Sequence, residues 1–270
     1  MQSGMPSRTA LGAAAHRAAH QVIERGRIFR DPLALRILGA AAEEAVRRGE
    51  GDPDGRKLRL FIAIRSRFAE DALEAAVARG VRQLVVLGAG LDTYAYRTAL
   101  DLRMFEVDHP ATQAWKRQML AEAAIDVPPA LTFAPIDFER ETLADGLAAA
   151  GFDPAQQTFF TWLGVVPYLT EQAVFSTLGF IAGLAGGAHV VFDYGNPKGP
   201  AHDALAERVA AAGEPFHCYL ETEALHARLR ALGFREIEDL GPASIIERFF
   251  GIRAGAPDEA GGHVVRAAAV

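Results

Sequence analysis

The chain has 270 residues, half of them apolar and 23% charged, with 28 basic against 34 acidic side chains and a formal net charge of −6. That balance excludes a disordered chain and leaves room for one large α/β domain or two small ones. One cysteine, Cys218, excludes an internal disulfide framework, a CxxC pair and a zinc ribbon, and points to a reducing, cytoplasmic setting; the mild acidity speaks against nucleic acid as a main partner, since phosphate binding needs clustered Lys and Arg.

The first fifteen residues lack a basic region followed by an unbroken apolar core, so no signal peptide is expected. Alanine-rich helical spacing predicts helices over residues 9–25, 31–48 and 57–78, the second with Asp31 as N-cap and Pro32 in its first turn. Beyond Arg82 short apolar runs alternate with helical segments. Strands are predicted at 83–87, 103–107, 131–135, 158–163, 189–194, 234–240 and 263–268, and helices at 112–124, 141–150, 171–184 and 222–232. Six strands in βα alternation, then a seventh without a clear crossover helix, predict an α/β, Rossmann-like, mostly parallel seven-stranded sheet with its last strand antiparallel. Residues 1–80 form an N-terminal helical cover of the same domain, and residues 81–270 form the core.

Residues 172–192 carry no formal charge over a length that could span a bilayer. They read instead as a buried helix, with Val174, Leu178, Ile181 and Ala185 on one face, ended by Gly186-Gly187 before a strand beginning near His189. No membrane partner is expected. The long connection 195–221 is expected to be a lid or a substrate wall.

At the end of the first strand, Leu84-Val-Val-Leu-Gly-Ala-Gly-Leu-Asp-Thr93 places Gly88 and Gly90 where backbone can approach a ligand closely. A GxG pair alone is weak evidence, since many tight turns contain one. About 20 residues on, the second strand ends Phe105-Glu-Val-Asp108, and an acid there commonly receives a ribose diol. A dinucleotide site would want a third glycine where this chain has Thr93, which disfavours an NAD(P)-dependent oxidoreductase. A nucleoside without phosphates fits better, and S-adenosyl-L-methionine is the commonest such cofactor. Its anionic end needs a cation, and Arg65, on the apolar stripe of Phe61, Phe68, Ala69 and Ala72, is the candidate, with a protein carboxylate as the competing partner. Arg67 is read as a surface partner of Asp71.

Four segments in this order, Asp31-Pro-Leu-Ala34, Gly88-Ala-Gly-Leu-Asp-Thr-Tyr-Ala-Tyr-Arg97, Phe105-Glu-Val-Asp-His-Pro110 with Lys116, and Thr161-Trp-Leu-Gly-Val-Val-Pro-Tyr-Leu-Thr170, resemble the leucine carboxyl methyltransferase family. The resemblance runs from about Ser7 to the C-terminus and implies a class I S-adenosylmethionine-dependent O-methyltransferase. It implies further that Arg65 holds the cofactor carboxylate, that Gly88 and Gly90 approach its methionine part and that Asp108 or Glu106 binds the ribose. Asp137 and Phe138 match the pair bracketing the adenine. Two positions depart from the family's protein-directed members: Leu163 stands for an acidic residue and Tyr94 for a frequent arginine. The acceptor expected here is therefore a small molecule or peptide, esterified on a carboxylate.

A phenol or alcohol acceptor would benefit from a base, and His217, in the aromatic run Phe216-His-Cys-Tyr219, is the candidate, with Tyr194 as a second acceptor-lining residue. His109 reads as a loop residue and Cys218 as inert. His16 and His20 stand four apart without a third ligand, so no metal is expected. Asp193 lacks the G-x-S-x-G elbow of a hydrolase triad. A cofactor-binding protein without turnover is the non-enzymatic alternative, and a homodimer through the helical cover is compatible with the sequence.

Overall fold

The computed structural model describes residues 7–53, 55–137, 140–196, 216–253 and 260–270. Its strands are β1 (Gln83–Leu87), β2 (Arg103–Asp108), β3 (Leu131–Pro135), β4 (Thr158–Trp162), β5 (Ala188–Asn196), β6 (Glu236–Leu240) and β7 (Gly261–Ala269). They form one seven-stranded sheet in the order β3-β2-β1-β4-β5-β7-β6. β7 runs antiparallel to both β5 and β6, whereas the β1–β4, β4–β5 and β2–β3 pairings are parallel. This is the predicted sheet, including its inserted antiparallel last strand.

The helices are α1 (Arg8–Ile23), α2 (Ala34–Leu38), α3 (Ala42–Glu50), α4 (Gly55–Ala78), α5 (Pro110–Glu122), α6 (Leu143–Ala149), α7 (Glu171–Ala182), α8 (Thr222–Leu232) and α9 (Pro242–Phe250). Two depart from expectation. The segment 31–48 is not one helix: it breaks at Gly39, whose φ of +53° is a conformation side chains resist, and a 3-10 turn over Gly39–Ala41 leads into α3. Asp31 does not cap it either, because α2 begins only after Leu33 and the Asp31 carboxylate turns inward. Helix α9, between β6 and β7, was not predicted. Its signals are present in Pro242 at the first turn and Gly251 in the left-handed conformation just past its end. Of the predicted substrate wall, residues 197–215 lie outside the described residues.

Contacts group the chain into two compact units, Met1–Arg67 with Gly88–Phe152, and Phe68–Leu87 with Asp153–Val270. The first division falls within α4, between Arg67 and Phe68. In the first unit the core gathers Ala14, Ala18, Ala34, Ile37, Leu38, Leu91, Leu120 and Ile125. The alanine richness of α1 has a packing reason. A Cβ built on Gly49 of α3 would already lie 3.0 Å from the Ala19 and Ile23 side chains of α1, so only small residues allow the two helices to come this close.

A polar knot ties the end of α1 to α4. The Glu24 carboxylate receives Arg59 Nε and Nη2, at 2.8 Å for the shortest contact, and meets His20 Nδ1 at 3.1 Å, while the Phe29 N–H donates to His20 Nε2. That pattern suits the neutral imidazole with its proton on Nδ1, because a second proton would face the Phe29 donor. Burial accordingly pushes the His20 pKa down, although Glu24 pulls the other way. Burial alone would raise Glu24, but its bonds and attraction to Arg59 outweigh it and hold the carboxyl below its usual range. A depressed histidine contributes stability that is present above its ordinary pKa and lost as pH falls. Between pH 7 and 5 Glu24 stays ionised, so wild-type protein is expected to lose stability more steeply than His20→Gln, by up to about 1.4 kcal/mol per pH unit. Thermal melts of both proteins across that range check it; equal slopes would refute the neutral-histidine assignment.

In the second unit β1 is buried throughout and β4 and β5 nearly so. Gln83 begins β1 by donating to the Asp153 carbonyl at 2.7 Å and to Thr158 Oγ1 at 3.1 Å. Helix α7 buries Val174, Phe175, Leu178 and Ile181 and stops at Gly183. Gly186 follows because a Cβ there would meet the Ala155 and Gln156 backbone at 2.5–2.6 Å. Among the described residues no helix is long and apolar enough to cross a membrane.

Candidate cofactor site

The glycine loop and its acidic partner both belong to the first unit. Gly88 and Gly90 have φ of +65° and +41°, the left-handed region that glycine enters freely. The Gly88 and Ala89 N–H groups donate to the Val107 carbonyl at 2.8 and 3.0 Å, which ties the loop to β2. A Cβ on Gly90 would lie 2.9 Å from Ala10 Cβ, so helix α1 seals one side of the loop.

Glu106 and Asp108 project to the same face of β2, because strand side chains alternate. Their environments differ. Asp108, at the strand end, is half-buried and accepts the Gly90 N–H on Oδ2 at 2.6 Å and the His109 N–H on Oδ1 at 2.7 Å. Burial raises its pKa against the pull of those two N–H groups. Glu106, one step deeper, is 1% exposed; its Oε2 meets Lys116 Nζ at 2.7 Å and accepts the Tyr96 hydroxyl at 3.0 Å. Oε1 is buried without a hydrogen-bond partner. Burial lifts Glu106 to about 7 despite Lys116, and burial together with the Glu106 charge raises the Tyr96 phenol. One Glu106 oxygen, Oε2, is thus committed to Lys116 and Tyr96, whereas Asp108 stands nearer solvent at the strand end.

The fit to a nucleoside cofactor rests on Asp108. An ionised carboxylate has about four acceptor sites, and the two N–H groups leave capacity for two hydroxyl donors at a half-buried position beside the glycine loop. Asp137, after β3, is also half-buried, with Arg140 Nε 3.5 Å from its Oδ2. Phe138 lies outside the described residues. Arg65 is half-buried on α4, its guanidinium 6.0 Å from the Phe61 ring. Arg67 is exposed.

A second polar hub was not anticipated. Asp31, 1% exposed, receives Arg17 Nε at 3.2 Å, the Thr93 hydroxyl at 2.8 Å and the Leu33 N–H at 3.0 Å, with Arg97 Nε 3.7 Å away. Arg17 Nη2 also donates to the Leu91 carbonyl at 2.5 Å. The helical cover thus grips both Leu91 and Thr93 of the glycine loop. Thr93, which stands where a dinucleotide site has its third glycine, is a bonding residue here. The signal was in the sequence: Arg17 sits on the alanine face of α1 with Ala14 and Ala18, and a guanidinium there needs an anion as much as Arg65 does. Tyr94, in place of the frequent arginine, is buried under the Arg97 guanidinium, 5.4 Å from its ring. His109 caps α5, its Nδ1 accepting the Ala111 N–H.

Within the second unit the two acceptor-lining candidates have different surroundings. His217 is exposed, its backbone N–H donating to the Pro167 carbonyl at 2.7 Å, and Phe216 packs against Tyr168 at 5.3 Å. Tyr194 is 2% exposed, and its hydroxyl donates to Asp239 Oδ2 at 2.7 Å beside Thr222 Oγ1 and His263 Nδ1. That makes it an anchor joining β5, β6, β7 and α8. Asp239 also meets His226 Nε2 at 2.9 Å; burial would raise its pKa, but the bonds from His263 and Tyr194 prevail and lower it. Leu163 is half-buried, Asp193 accepts the Gly164 N–H at 2.6 Å, and burial raises the Cys218 thiol.

A glycine loop after β1, an acid ending β2 and an antiparallel seventh strand define a Rossmann-like methyltransferase fold. A family model for leucine carboxyl methyltransferase matches residues 10–182, and the chain belongs to that family. A Bacillus subtilis protein provisionally named S-adenosyl-L-methionine-dependent methyltransferase YktD is 29% identical over 94% of both chains. Relatives provisionally named in the same way are 34% identical in Mycolicibacterium paratuberculosis, over 68% of this chain and 67% of that one, and 37% identical in Frankia alni, over 66% and 64%. Two solved structures share the fold: a DUF574 family protein from Streptomyces avermitilis (TM-score 0.55, 16% identity, 94% of this chain and 96% of that one) and a Thermobifida fusca protein (TM-score 0.52, 18% identity, 98% and 96%). The chain is an S-adenosyl-L-methionine-dependent methyltransferase.

Proposed function

We propose that the enzyme forms a methyl ester on a carboxylate of a small molecule or peptide. S-adenosylmethionine supplies an electrophilic methyl group on a sulfonium, and an in-line transfer gains chiefly from holding the acceptor oxygen in place. In the assignment offered here Asp108 receives the ribose hydroxyls, Gly88 and Gly90 admit the methionine part, Arg65 faces its carboxylate and Asp137 the adenine amino group.

The observation that favours a carboxylate acceptor is that three titratable groups beside the glycine loop, His109, Tyr96 and Glu106, are committed elsewhere. His109 Nδ1 caps a helix, Tyr96 is held by Glu106 with its phenol pKa raised, and Glu106 is paired with Lys116. A carboxylate is ionised at neutral pH and needs no base, whereas a phenol or alcohol does. Incubation with methyl-labelled cofactor and matched panels of carboxylic acids and phenols tests the reading. The expected product releases methanol on mild alkaline treatment, as esters do. Label that survives alkali and requires His217 would overturn it in favour of a hydroxyl acceptor.

A further inference from the structure

The pair formed by Glu106 and Lys116 is poorly explained by stability. Both side chains are almost wholly buried, and a buried ion pair is usually no more stabilising than well-packed apolar residues of similar volume. Its contacts give it another use. Lys116 Nζ reaches the carbonyl of Ala89, between the two left-handed glycines, at 3.5 Å, and the Asp92 N–H donates to that same oxygen at 2.7 Å. The peptide group is planar and trans, so fixing the Ala89 carbonyl fixes the direction of the Gly90 N–H on its other side. That N–H donates to Asp108 Oδ2 at 2.6 Å. Glu106 also holds the Tyr96 hydroxyl, and Tyr96 lies in the 3-10 turn Tyr94–Tyr96 that follows the loop, with Lys116 5.2 Å from its ring. Gln113 Nε2 donates to the Glu106 carbonyl at 3.0 Å, which joins α5 to β2 beside Lys116.

The geometry points to Lys116 as a positioning residue: held by Glu106 and Tyr96, it orients the Ala89–Gly90 peptide and through it the Asp108 carboxylate that receives the cofactor ribose. The chain runs from a buried carboxylate through an ammonium and one peptide plane to a second, half-buried carboxylate. Each link has a donor and an acceptor, and aligned hydrogen bonds of this kind polarise one another. The inference rests on Asp108 being the ribose acid.

The test compares wild type, Lys116→Met and the double variant Glu106→Gln/Lys116→Met by calorimetric titration with S-adenosylhomocysteine and its 2′- and 3′-deoxy analogues, with a thermal melt of each. Lys116→Met is expected to lower Tm, because it strands Glu106, and to weaken binding at least tenfold. The double variant removes both charges and is expected to recover most of the Tm while binding stays at least tenfold weak. In both, the preference for the full ribose over the deoxy analogues shrinks. A double variant that binds within twofold of wild type and keeps the ribose preference would overturn the inference. Should the double variant not fold, Tyr96→Phe decides, with a two- to fivefold loss of affinity expected and an unchanged affinity overturning. Wild type that shows no ribose preference sinks the Asp108 assignment itself, which separates the two failures.

Discussion

Asp31→Ala is expected to lower unfolding stability by about 3–5 kcal/mol, the usual consequence of removing one partner of a buried ion pair and stranding the other. The substitution leaves the Arg17 guanidinium buried with only the Leu91 carbonyl among the partners described, and takes from Thr93 the acceptor for its hydroxyl. It also removes the acceptor of the Leu33 N–H and an anion 3.7 Å from Arg97 Nε. Asp31→Asn, which keeps one acceptor and the shape, should lose less. Urea unfolding followed by circular dichroism measures both. A loss under about 1 kcal/mol for the alanine variant would show that water replaces the carboxylate and that the hub is not dry. Because Leu91 and Thr93 belong to the glycine loop, the same variant should bind S-adenosylhomocysteine more weakly even at temperatures where it is fully folded.

Much of this is legible in the sequence, and the reasons differ by element. The strands carry their signal locally: Leu84-Val-Val-Leu87 and Val190-Val-Phe192 are continuous apolar runs, the first ended by Gly88 and the second set off by Gly186-Gly187 upstream, and the strand ends lie within a few residues of prediction. The glycine loop and Asp108 were readable because spacing along the chain fixes which residues meet at the end of a parallel sheet. What the sequence hid was partnership across long separations. Arg17 meets Asp31 and Leu91, and Glu106 meets Lys116, and no local pattern distinguishes a buried pair from two residues facing solvent. Tyr194 is a further case: Asp239 and His263, from β6 and β7, meet its hydroxyl across separations that no local pattern marks. The break at Gly39 was missed because alanine-rich flanks on both sides favour helix, and a single glycine decides only when its φ is known.

The net charge of −6 bears on the acceptor. A carboxylate approaching a protein of like sign gains nothing from the global field, so attraction has to come from nearby cations. Several basic residues of the first unit are already neutralised internally: Arg17 by Asp31, Arg59 by Glu24 and Lys116 by Glu106. Each of these cations serves the protein's own architecture, so a carboxylate acceptor has to be attracted by other basic groups.

Asp108→Ala should weaken S-adenosylhomocysteine binding at least 100-fold, equivalent to about 2.7 kcal/mol, the scale of two hydrogen bonds to an ionised acceptor. Two effects act together. The variant removes the acceptor proposed for the ribose hydroxyls and releases the Gly90 and His109 N–H groups that the carboxylate now holds. The deoxy analogues separate them: if Asp108 contacts the ribose, wild type prefers the full ribose and the alanine variant loses that preference, whereas a purely structural role would weaken all three ligands alike. Asp108→Asn sharpens the comparison, since its amide turns one acceptor into a donor facing the Gly90 or His109 N–H and should lie between the two. Folding is expected to suffer less than binding, because the freed N–H groups sit at a half-buried strand end where water can reach them. An alanine variant that binds within threefold of wild type would move the ribose contact away from β2 and remove the observation on which the cofactor site is built.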